Sequence, residues 1–131
     1  MPTRTRSWLI RATVLLVGLG ALAGAPRIGA PPKAVHEITL VARGMAFTLE
    51  GSETENPEVR VTVGQHVRIR FRNEDPGVDH VLSLPALNLR SAVVKPGQEA
   101  YLELVPRTPG RTTYECTLHS RMMQGTFLML Q

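Results

Sequence analysis

The chain has 131 residues, with 15 Lys and Arg against 11 Asp and Glu, four His and a single Cys. Arg4, Arg6, Arg11 and Arg27 account for the positive excess, so the chain from Pro31 onward is neutral, with eleven basic and eleven acidic side chains. That balance excludes a nucleic-acid surface, which needs a local surplus of Lys and Arg to meet phosphates, and the length leaves room for about one domain.

Residues 1–30 have the layout of an export leader: a basic start at Arg4 and Arg6, then an apolar stretch from Ala12 to Ala25. The stretch is shorter than the roughly 20 residues of a membrane span and suits a signal sequence. Ala23-Gly24-Ala25 offers small residues for cleavage, and Ala30 offers a second place. The alternative is an uncleaved anchor, with the apolar stretch extended back to Trp8 across Arg11. The expected location is therefore periplasmic or otherwise extracytoplasmic, with membrane contact only if the leader is retained. The folded domain is expected over residues 31–131, after the Pro31-Pro32 joint.

Strands are predicted over residues 36–42 and 45–50, and the polar segment 51–57 reads as a surface loop. Val59, Val61 and Val63 then alternate with Arg60 and Thr62. After a turn at Gly64-Gln65, Val67, Ile69 and Phe71 alternate with Arg68, Arg70 and Arg72. A period of two marks half-buried strands of an antiparallel sheet, with the arginines facing solvent. Further strands are predicted at 80–84, 91–94, 99–105, 112–116 and 126–130, with Pro96-Gly97 and Pro109-Gly110 as turns. No stretch after residue 34 has a helical period. Many short strands in about a hundred residues indicate an all-β sandwich or barrel.

Cys116 cannot form an internal disulfide, so in an oxidising compartment it is an intermolecular bridge, an inert buried thiol or a metal ligand. The segment from Cys116 to Gly125 decides among these. Cys116, His119, Met122 and Met123 stand together where one predicted strand ends and the next begins. Soft sulfur with borderline nitrogen suits copper, and two His, one Cys and a weak axial Met describe a blue-copper electron-transfer site. The second histidine must come from elsewhere. His80 is the candidate, just after the turn-like run Asn73-Glu74-Asp75-Pro76-Gly77. His36 and His66 have surface positions, and Met45 and Met129 read as core or strand filler.

Cys116-Thr117-Leu118-His119 resembles the C-x-x-H of plastocyanin and amicyanin, and the run from His119 to Thr126 resembles the ending of azurin. The chain after the leader is thus identified as similar to the cupredoxins, the small blue-copper proteins. The resemblance implies a Greek-key β-sandwich of about eight strands and one copper ion cycling between Cu(I) and Cu(II). It implies outer-sphere electron transfer by a monomer that is not an enzyme. The implied ligands are His80, Cys116, His119 and Met123, since the family places a Met two residues before the Gly that opens the last strand. Counting as in the shortest amicyanin-like loop selects Met122 instead. Redox partner proteins are expected to dock near His119, on an apolar patch that includes Leu118, Met122 and Pro85.

Two positions depart from the family. Val81 stands where relatives carry an Asn that ties the ligand loops together, and Leu118 stands where Pro is common. The alternatives are a periplasmic copper carrier or copper-resistance protein with the same fold, and a metal-free interaction module. A dinuclear copper centre needs a second Cys four residues after the first, where Ser120 stands. One Cys also excludes a multicopper oxidase, and no nucleophile motif supports hydrolytic chemistry.

Overall fold

The most regular alternation in the sequence forms a long half-buried strand, His66–Asn73 (β4), in which Val67, Ile69 and Phe71 are fully buried. The computed structural model describes residues 33–131, and the leader expected over 1–30 lies outside them. The other strands are β1 (Val35–Arg43), β2 (Ala46–Leu49), β3 (Val59–Thr62), β5 (Leu82–Leu84), β6 (Leu89–Arg90), β7 (Glu99–Leu104), β8 (Gly110–Cys116) and β9 (Gln124–Leu130). Among the described residues the only helical segment is a 3-10 turn at Pro85–Leu87, and no helix is long and apolar enough to cross a membrane.

The strands form two sheets, β2-β1-β4-β7 and β3-β9-β8-β5-β6. Their inner faces meet in one core containing Leu40, Phe47, Ile69, Phe71, Leu82, Tyr114 and Phe127. Phe47 joins the layers, with its ring 5.6 Å from Phe71 and 5.2 Å from Tyr114. Each such apolar side chain contributes about 1.5–3 kcal/mol by leaving water.

Three expectations are corrected. The sheets are mixed, because β1 pairs with β4 and β3 with β9 in parallel. The strands on either side of Gly64-Gln65 therefore belong to different sheets, since period two reports a buried face but not a partner. Residues 91–94 are not a strand; only Val94 pairs, in an isolated bridge with His80. Met45 is not a strand residue either, because it occupies the two-residue turn between β1 and β2 with φ 63°, beside Gly44 at φ 62°. Two left-handed residues make the turn whose twist matches an antiparallel hairpin.

The outward arginines are ion-paired. Arg68 meets Glu103, Arg70 meets Glu99 and Arg72 meets Glu50 and Glu74, whereas Arg60, on the other sheet, meets Glu58. His36 is exposed, and His66 is partly exposed beside Glu103.

Candidate metal centre

Cys116 ends β8, and the chain from it to Met123 is a closed turn. The His119 N–H donates to the Cys116 carbonyl at 2.9 Å, and the Met122 and Met123 N–H groups donate to the His119 carbonyl at 3.0 Å. The Cys116 N–H donates to the Met123 carbonyl at 2.9 Å, so the turn starts and ends on one rung. His80 arrives from the neighbouring strand: Leu82 on β5 pairs with Cys116, which brings His80 beside the end of β8. The His80–Val94 bridge holds its backbone in place, with bonds of 3.0 and 2.8 Å.

Both imidazoles turn Nδ1 toward the sulfur. Cys116 Sγ lies 3.7 Å from His80 Nδ1 and 3.6 Å from His119 Nδ1. Metal bonds of about 2.0–2.3 Å at about 109–120° would space sulfur and nitrogen by about 3.5–3.8 Å, so the three donor atoms fit a common ion. His80 and Cys116 are fully buried and His119 reaches partly to the surface. Met123 is fully buried, whereas Met122 is 57% exposed. The Val81 N–H points at Cys116 Sγ from 3.4 Å, a contact that favours negative charge on sulfur.

Behind His80 lies a carboxylate that sequence reasoning left as part of a turn. Asp75 Oδ2 is 2.8 Å from His80 Nε2, with both side chains buried. Asp75 also accepts from the backbone N–H groups of Gly44 and Met45. Burial pushes its carboxyl pKa up, but those two N–H groups and the His80 ring outweigh it and hold the pKa below the usual aspartate value. Asn73, also fully buried, shapes the intervening loop: its side-chain amide donates to the Val78 and Val94 carbonyls, and its Oδ1 accepts from the Asp75 N–H. A second residue without a sequence signature is Asn56, in the polar 51–57 loop. Its side chain accepts from the Phe47 N–H and donates to the Met122 carbonyl. The available signals were an Asp five residues before the histidine and an Asn before Pro57, and neither is specific.

Of the expected apolar patch, Leu118 and Met122 are exposed and flank His119, with Ser120 and Arg121 completing a shallow hollow. Pro85 is not part of it. It follows β5, which leads away from the Leu82–Cys116 pair, and so lies strand-distal to the site.

A two-sheet β-sandwich with two histidines, a cysteine and a buried methionine at one end has the arrangement of a type 1 copper site. The family model of the cupredoxin-like domain matches residues 16–129, and the chain belongs to that family. Its solved structural neighbours are diverse in role. Auracyanin A, a blue copper protein from the green thermophilic photosynthetic bacterium Chloroflexus aurantiacus, is 19% identical with TM-score 0.60, over 73% of this chain and 99% of that one. The metal-binding domain of the Cu(I)-exporting P-type ATPase CopA from Streptococcus pneumoniae D39 is 13% identical with TM-score 0.60, over 78% and 92%. The copper-containing nitrite reductase of Thermus scotoductus SA-01 is 23% identical with TM-score 0.57, over 74% of this chain and 28% of that one. These likenesses establish the fold; function rests on the site. A search of curated proteins found no match.

Proposed function

We propose that this chain is an exported electron carrier that holds one copper ion through His80, Cys116, His119 and Met123. The observation that carries the reading is the pair of imidazole Nδ1 atoms 3.6 and 3.7 Å from one buried cysteine sulfur. Copper bound there supplies a one-electron couple between Cu(I) and Cu(II), with no bond to a substrate, so the protein is not an enzyme. Cys116 acts as the thiolate, polarised by the Val81 N–H, and His80 and His119 act as neutral imidazoles. Met123 would supply the weak thioether. Its full burial favours it over Met122.

Three elements hold the donors: the bridge at His80, the end of β8 at Cys116, and the hydrogen-bonded turn to Met123. A frame of this kind resists rearrangement, and fast electron transfer requires little change of geometry between oxidation states. The partly exposed His119, flanked by Leu118 and Met122, is the route to a redox partner, which docks by apolar contact because the body is neutral.

The purified domain with added copper(II) should take up one ion and show an intense thiolate-to-copper band in the visible. Weak binding with the pale colour of nitrogen and oxygen ligation would refute the reading. A copper carrier is the second reading, favoured by the exposed Met122 thioether at the mouth of the site. Voltammetry separates the two: a carrier cycles slowly and irreversibly and loses copper(I) readily to a competing chelator.

A further inference from the structure

His80 is held from behind by a charge. An ionised carboxylate has acceptors and no donor, so every polar atom at hydrogen-bond distance from it must bring a hydrogen. Asp75 faces three such atoms: the Gly44 and Met45 backbone nitrogens and His80 Nε2, the last at 2.8 Å. Nε2 therefore carries a hydrogen, and whenever the ring is neutral Nδ1 keeps its lone pair, directed toward Cys116 Sγ 3.7 Å away.

The arrangement is braced from two directions. On one side, both residues of the β1–β2 turn are left-handed, which aims their N–H groups at the same carboxylate. For Met45, at φ 63°, that conformation is disfavoured, and the bond to Asp75 adds to the hairpin twist in favouring it. On the other side, Asn73 Oδ1 accepts from the Asp75 backbone N–H at 2.9 Å, and the Asn73 amide is itself bonded to Val78 and Val94. Glu74, the adjacent carboxylate, points away to Arg43 and Arg72 on the surface. The carboxylate on His80 is thus a built feature, distinct from the charges around it.

We propose that Asp75 is the positioning residue of the centre: it fixes His80 as the Nε2–H tautomer with Nδ1 bare, and its charge lowers the reduction potential by favouring the more positive oxidised ion. The potential effect rests on the copper reading given above; the tautomer does not. A carboxylate behind a ligating imidazole raises the ring's basicity and fixes its orientation, and loss of such a partner typically costs about 10–100-fold in metal affinity. The neighbouring copper(II) gains more from that negative charge than copper(I) does.

The test has two arms. Nitrogen-15 NMR of the metal-free parent, at a pH high enough that the ring is neutral, reads the tautomer directly: His80 should carry its one hydrogen on Nε2 and none on Nδ1, and a neutral ring with its hydrogen on Nδ1 would overturn the proposal. In the copper-loaded protein, Asp75→Asn should bind copper(II) about 10–100-fold more weakly and show a raised potential. Each tenfold by which copper(II) affinity falls more than copper(I) affinity raises it by about 59 mV. Glu74→Gln, a neighbouring carboxylate off the ring, should leave the potential where it was. An Asp75→Asn protein that keeps the parental potential, or a Glu74→Gln protein that shifts as far, would also overturn the assignment. If Asp75→Asn does not fold, the parent's tautomer still decides. A chain that takes no copper ends the copper reading alone, because the NMR arm needs no metal.

Discussion

Asn56 donates its side-chain amide to the Met122 carbonyl at 3.0 Å and so fastens the Cys116–Met123 turn to the opposite sheet. The same side chain accepts from the Phe47 N–H at 3.1 Å, and the Asn56 backbone N–H donates to the Phe47 carbonyl. Phe47 lies on β2 and Met122 in the turn before β9, so one residue clasps the two layers at the metal end. Val81 cannot make the tie that Asn makes there in relatives. Asn56 makes a different one, between the Cys116–Met123 turn and β2.

Replacing Asn56 with Gly keeps its left-handed backbone, φ 47°, but removes both side-chain hydrogen bonds. The expected loss is about 1–3 kcal/mol in urea denaturation, with faster amide exchange at Met122 and Met123. Unchanged exchange in that turn would mean that it needs no clasp.

The two adjacent methionines should behave differently. Met123→Leu removes a weak donor from a buried position, which disfavours the oxidised ion and raises the potential, with a change in the visible spectrum. The swap nearly conserves volume and should cost less than about 1.5 kcal/mol, so folding survives. Met122→Leu, at an exposed position, should leave spectrum and potential nearly unchanged. The reverse pattern would give the axial role to Met122.

Gly125 stands opposite Tyr114 in the β8–β9 ladder, and a Cβ at this position would overlap the tyrosine ring. Among the described residues Tyr114 is the largest fully buried side chain, and its hydroxyl donates to the Pro57 carbonyl at 2.7 Å. Gly125→Ala should therefore destabilise the domain by about 1–3 kcal/mol or more. Urea denaturation would show it; a wild-type midpoint would mean the ring can yield without loss.

Acid should weaken the outer face of the β2-β1-β4-β7 sheet. Glu99 is held below the usual carboxyl range by the Tyr101 hydroxyl and Arg70, and Glu103 by Arg68 and His66. Their folded pKa values lie below the unfolded value of about 4.3, so the contribution is present above that pH and is lost as pH falls through the folded values. Both groups are exposed, so the loss should be modest and smaller at high salt. Denaturation at pH 7 and pH 3 in parent and in a Glu99→Gln, Glu103→Gln protein checks this. An equal acid drop in both would place the sensitivity elsewhere.

Local chemistry makes much of this protein legible in its sequence. Side-chain alternation depends only on the pleat of a strand, so β3 and β4 can be read from the spacing of Val59 and Val61 and of Val67, Ile69 and Phe71. Cys116, His119 and the methionines lie within eight residues, and so their proximity needs no fold. Gly125 also has a local signature, although its reason, the Tyr114 ring, comes from the strand opposite. Pairing is different, because a strand's period does not name its neighbour: the parallel β1–β4 and β3–β9 ladders follow from burying two faces in one core. The same holds for what surrounds the donors. His80 reaches Cys116 only because β5 pairs with β8, Asp75 reaches His80 only through the Asn73 loop and the β1–β2 turn, and Asn56 reaches Met122 across the sandwich. Contacts between residues distant in sequence are fixed by how the layers close over the core. That closure, not any motif, decided which carboxylate stands behind His80 and which amide holds the turn, and it buries Met123, the methionine that the family spacing selects.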